Sequence, residues 1–241
     1  MDSIAILPSA LLLKFRSVAD PDVRRGLMAS TFGDIDAASL AGFLVHLVRR
    51  LPSESALYRD VLLVVFGPPG LPLQTRRAVY GRLEADPLRP VLAFLSEAAS
   101  RPPAASAESP YELEELPIGV RKSRARGLAL DPLRRLLADP DPEVIRILLD
   151  NPLATEDDAL RLASRRPQTA GTFLVILSSS RFGVREPVQA ALALNPFCPV
   201  RLAVAVTPLL LKPHLVEVSA APGLDGRVRE SAQALLKELH V

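Results

Sequence analysis

Three histidines and one cysteine are the side chains here best suited to nucleophilic, acid–base or metal chemistry. Their spacing supports none of these. His46, His214 and His240 stand far apart, and none lies within metal-ligand spacing of another histidine or of Cys198. The run Leu44-Val45-His46-Leu47-Val48 reads as a helix carrying an isolated imidazole, not a ligand. Cys198 sits between Phe197 and Pro199 at an expected helix start, where a thiol pKa can fall. With no histidine expected beside it, packing or capping is the stronger reading, and a single cysteine excludes an internal disulfide or a cysteine-ligated cluster. The acid pairs Asp157-Asp158 and Glu114-Glu115 are adjacent, so on a helix they point in different directions. Phe66-Gly67-Pro68-Pro69-Gly70 resembles a phosphate loop only in its glycines, because two prolines remove the N–H groups that would cradle an anion. We expect a turn there, following a helix Ser55–Phe66. Gly-x-Ser-x-Gly, His-Glu-x-x-His and the dinucleotide fingerprint are absent from the sequence. The expectation is a non-enzymatic protein without cofactor or metal.

Cations offer a different kind of chemistry. Arg121, Lys122, Arg124 and Arg126 place four positive charges in six residues, directly after the acidic stretch Glu112–Glu115. Such a run is either a site for phosphate or an acidic peptide, or a solvated helix face paired with the neighbouring glutamates. Arg165 and Arg166 form a second candidate, at an expected helix C-terminus where the macrodipole favours cations. Arginine makes up 25 of the 29 basic residues, which a GC-rich coding bias explains as readily as a phosphate-binding role. The net charge is only +2, and residues 117–241 carry +4, below what a dedicated nucleic-acid binder shows. Aromatic residues are 5% of the chain and Trp is absent, so no stacking platform for single strands is visible.

The elements that carry these residues are expected to be short helices. Nearly half the chain is apolar, mostly Leu, Ala and Val, while 23 prolines exclude long uninterrupted helices. Asp20-Pro21-Asp22-Val23-Arg24 recurs as Asp141-Pro142-Glu143-Val144-Ile145-Arg146 and, weakly, as Asp225-Gly226-Arg227-Val228-Arg229. Asp caps the free N–H groups of a first turn, and Pro has no N–H to leave unpaired there. Asp86-Pro87-Leu88-Arg89 and Asp131-Pro132-Leu133-Arg134 carry the same signal. Three C-terminal segments align on Asn151-Pro152, Arg166-Pro167 and Asn195-Pro196. Each then places apolar residues seven, eight and ten positions on: Ala159, Leu160 and Leu162; Leu174, Val175 and Leu177; Ala203, Val204 and Val206. Thr155 with Asp158 approximates a capping box and Pro199 suits a first helical position, whereas Ala170 supplies no start signal. Asn151 and Asn195 lie 44 residues apart, and each closes the helix before it.

The run Asp141–Ala163 resembles the HEAT-like and leucine-rich-repeat-variant α-solenoid families, whose units alternate a Val-Arg helix with an Asn-Pro-started helix. That resemblance covers residues 131–239, and residues 20–50 faintly. It implies a right-handed stack of short helices presenting one surface to a protein or peptide partner, without an iron–sulfur module, since one cysteine cannot ligate it. Nucleic-acid binding is the alternative, because some HEAT-like glycosylases of similar length grip the DNA backbone with arginines. The expected organisation is all-α, with residues 1–100 as an N-terminal helical subdomain and 118–241 as the repeats. Residues 101–117 form either a linker or a long surface loop. The apolar start Ile4–Leu13 is broken by Pro8 and lacks a basic leader, so it reads as a core helix. No stretch of about 20 apolar residues is present to span a bilayer. A bacterial, cytoplasmic protein is the expectation.

Overall fold

The computed structural model describes residues 7–96 and 116–238. Among them are fourteen α-helices, two short 3₁₀ turns and no strand. The first five helices are α1 (Pro8–Arg16), α2 (Pro21–Asp34), α3 (Ala37–Val48), α4 (Ser55–Phe66) and α5 (Leu73–Gly81). A 3₁₀ turn, Ala93–Leu95, ends this group. Next come α6 (Ile118–Arg126), α7 (Leu130–Leu136), α8 (Pro142–Asp150), α9 (Glu156–Ser164), α10 (Ala170–Ser178) and α11 (Glu186–Ala193). The last three are α12 (Val200–Val206), α13 (Lys212–Ala220) and α14 (Gly226–Glu238). Residues 97–115, which hold most of the expected linker 101–117, lie outside the described residues.

The capping chemistry acts where residue order announces it, with instructive exceptions. Asp20 accepts from the N–H groups of Asp22 and Val23, and Asp141 from those of Glu143 and Val144, each with Pro as first helical residue. Thr155 and Asp158 form a complete capping box on α9. Helix α10 does have a start signal: the Thr169 hydroxyl accepts from the Thr172 N–H at 3.3 Å. Pro199 stands one residue earlier than expected, at the cap of α12. Asp86 opens no α-helix. Its carboxylate accepts from the Leu88 N–H at 2.8 Å, but the donor that would continue the helix, residue 90, is a proline without an N–H. The segment therefore runs through turns into Ala93–Leu95. Asp131 lies inside the first turn of α7, which starts at Leu130 with Ala129 as its cap.

Many of the helices pack on their alternate neighbours in chain order, while the most extensive contact among the described residues joins the consecutive α13 and α14. Helix α1 lies on α3, α2 on α4 and α3 on α5; further along, α6 lies on α8, α8 on α10, α9 on α11, and α12 on α14. The approach of α10 to α8 is close enough that a Cβ on Gly171 would meet the Pro142 ring at 2.6 Å. Buried apolar side chains form one cluster running from Leu11 to Leu235. Its N-terminal part centres on Phe15, Phe32 and Phe43, whose rings meet at centroid distances of 5.4–6.0 Å. Beside them Asp60 of α4 is buried and accepts from Arg24 Nε at 2.7 Å and Arg25 Nη1 at 3.1 Å, both on α2. Two bonds tie the first helices to the last. The Tyr58 hydroxyl donates to the Ala205 carbonyl at 3.0 Å, and Arg201 Nε to the Phe94 carbonyl at 2.7 Å. Arg201 also lies over the Phe66 ring at 5.2 Å, and burial, with Arg76 nearby, brings its pKa down to about 10.

Candidate interaction groove

The site is positioned by two asparagines that do more than end their helices. Asn151, after α8, donates through Nδ2 to the carbonyls of Ala125 and Gly127 at 2.9 and 2.8 Å, while its Oδ1 accepts from the Leu153 N–H at 2.9 Å. Asn195, after α11, repeats the arrangement on the carbonyls of Ala163 and Arg165, at 2.8 and 2.9 Å, with Phe197 N–H as its donor at 3.0 Å. Each side chain is buried, so one amide satisfies the free carbonyls at the end of the helix two places back and the turn after its own helix. Arg181 adds a further tie across the stack, donating to the carbonyls of Asn151 and Ala154 at 2.7 and 3.1 Å.

Helix α7 packs on α6 and α8, and α9 on α10 and α11; between α7 and α9 runs an open groove. Its walls are Arg134, Leu137 and Ala138 on one side and Arg161, Ser164 and Arg165 on the other. Arg134 and Arg161 are exposed, and Arg165 is half-buried with Nη1 donating to the Leu137 carbonyl at 3.2 Å. Arg161 pairs with Asp157 at 2.8 Å, an exposed (i, i+4) pair of the kind that contributes only about 0.3–0.5 kcal/mol. Arg134 has no carboxylate partner among the described residues. At one end the groove meets a small apolar pocket lined by Leu130, Leu133, Leu148 and Leu153. Leu128 and Leu130, at the turn into α7, leave 74% and 52% of their surface in solvent. The surface therefore offers guanidinium groups beside uncovered leucines. Guanidinium groups of this kind can bind carboxylate or phosphate oxygens.

The six cations that the sequence singles out are distributed differently. Arg121 pairs with the fully buried Asp139 carboxylate, which also accepts from the Asp141 N–H at 2.9 Å; this guanidinium anchors α6 to the start of α8. Lys122 is half-buried near Glu143, whose carboxyl is held below its usual range first by its bond from Arg146 and to a lesser degree by Lys122. Arg124 and Arg126 are exposed in the last turn of α6. Arg166 is exposed and donates to the Leu194 carbonyl at 3.2 Å. Only Arg165 of the six lines the groove, joined by Arg134 and Arg161. Residue spacing carries a signal for Arg161, which lies one turn before Arg165 on the same helix face. It carries none for Arg134, whose neighbour across the groove is 27 residues away in sequence.

Elsewhere, reactive side chains are occupied by packing. Cys198 is buried and burial pushes its thiol pKa up, against the lowering a helix start can give. His46 is half-buried on α3, and His214 Nδ1 meets Glu186 Oε1 at 2.7 Å, joining the starts of α13 and α11. Among the described residues no group of three His, Cys, Asp or Glu side chains could hold a metal ion. No helix among them is long and apolar enough to cross a membrane. Comparison with protein-family models, with curated proteins and with solved structures found no match.

Proposed function

We propose that this chain is a non-enzymatic interaction module, a short HEAT-like α-solenoid that holds a protein or peptide partner in the groove between α7 and α9. The observation that carries the reading is the packing of alternate helices together with the asparagine clamp repeated 44 residues apart at Asn151 and Asn195. A stack of this kind leaves one edge of each helix pair uncovered, and here that edge combines exposed leucine with arginine. DNA-backbone binding draws less support. Among the six cations, Arg121, Arg165 and Arg166 each spend a donor inside the molecule, on Asp139, Leu137 and Leu194.

The test is capture of binding proteins from a lysate of the source cell on the immobilised chain and on a Leu130→Asp/Arg161→Glu variant. The expected result is a protein held in stoichiometric amount by the native chain, lost with the variant, and bound again when both components are purified and mixed. Retention of no protein at any salt concentration overturns the reading.

A further inference from the structure

Resting on that reading, we infer that the partner of the α7–α9 groove is a short acidic peptide segment carrying leucine-type side chains. Charge selects the acidic character. Arg134, Arg161 and Arg165 converge on the groove from two helices, Arg134 lacks a carboxylate partner among the described residues, and Arg161 holds only an exposed pair that an incoming carboxylate can replace. Apolar surface selects the leucine. The pocket at the groove's end is lined by Leu130, Leu133, Leu148 and Leu153 with Arg134 at its side, and Leu130 stands half-exposed at its edge, a surface for an aliphatic side chain next to a carboxylate. Asp158 lies on the rim of that pocket, its carboxylate accepting from the Thr155 N–H and hydroxyl. It repels acid at that end, so the peptide's carboxylates lie toward Arg161 and Arg165 and its leucine toward Leu133. Three arginines beside an apolar pocket do not make the extended basic stripe that a duplex requires.

The experiment uses the full chain and a fluorescein-labelled synthetic peptide repeating Leu-Glu-Glu, followed by fluorescence anisotropy at about 50 mM salt, where charge contacts are strongest. Saturable binding is expected. Arg134→Glu/Arg161→Glu weakens it about tenfold or more, as does a peptide with Ser in place of Leu, while Arg82→Glu, on an exposed site far along the chain, leaves it unchanged. Circular dichroism of each variant checks the fold. Absence of saturable binding, or binding indifferent to the two groove arginines, overturns the inference. So does tighter binding of a labelled DNA duplex that the same two arginines control. If the peptide fails while a captured protein still depends on Leu130 and Arg161, this partner class falls and the interaction module stands; if neither binds, both fall.

Discussion

The helices α1–α4 and the helices α6–α11 pack in the same alternating order, yet are fastened by different means. In the first group the fasteners are side chains meeting side chains: three phenylalanine rings, and one buried carboxylate between two guanidinium groups. In the second the buried Arg121–Asp139 pair is joined by side chains meeting backbone, with Asn151, Asn195 and Arg181 each donating to a pair of carbonyls at the end of another helix or in the turn after it. Side-chain pairs are specific to one place and need not recur. A carbonyl at a helix end is present in every unit, so the residue that satisfies it can repeat at a fixed spacing. The difference fits the recurrence of Asn-Pro pairs in the C-terminal half of the sequence and their absence from the N-terminal half.

Four substitutions break the comparison open, and the largest effect belongs to the buried charge. Asp60→Ala leaves Arg24 without a carboxylate and Arg25 with only the exposed Asp22, in a largely enclosed position, so the folded state should lose about 3 kcal/mol. Urea unfolding followed by circular dichroism measures it. A loss no greater than that of an exposed surface pair would show that the N-terminal group rests on its phenylalanines alone.

Asn151→Ala and Asn195→Ala come next. Each removes two bonds to carbonyls and one from an N–H, for an expected cost of about 2 kcal/mol. Because the two clamps are geometrically alike, their costs should agree to within about 0.5 kcal/mol. A large inequality in the same unfolding assay would deny that they are copies of one device.

Tyr58→Phe has the smallest expected effect, about 1 kcal/mol, through the lost bond to the Ala205 carbonyl. It joins the two regions, and its value lies in what it does to cooperativity. The Asp60 and Asn195 variants should shift one common unfolding transition in the native background. Separate transitions in calorimetry would mean that the two groups unfold independently despite sharing a buried cluster.

The candidate groove is partly legible in residue order alone. Arg165 is visible there as a cation at a helix end, closing the helix α9 that Thr155 opens. The apolar half of the groove is not. Leu130 and Leu133 look like ordinary core positions of a short helix, and only the placement of α7 against α6 and α8 shows that Leu130 is 52% exposed while Leu133 is buried. Arg121 illustrates the opposite error. In a run of four cations it reads as surface charge, but its partner Asp139 lies 18 residues on and is buried.

Helix starts can be read from residue order because a cap is a local bond, spanning two or three residues and satisfied by Asp, Thr or Pro wherever the chain lies. Asp20, Asp141 and Thr155 need no tertiary information. Which face of a helix is buried is a local question only when the helix has one apolar face. Helix α9 does, and Ala159 and Leu162 are buried as their spacing implies while Leu160 is half-buried at the edge of that face. Helix α10, Ala170–Ser178, is apolar nearly all round, and the proline alignment selects Leu174 and Val175 for its core. The alignment's third position, Leu177, is buried, but the fold buries Phe173 and Ile176 beside it and leaves Leu174 and Val175 half-exposed. A 3.6-residue period carries no orientation when every position is apolar, so the choice falls to the neighbours: α8, whose Pro142 is approached through Gly171, and α9.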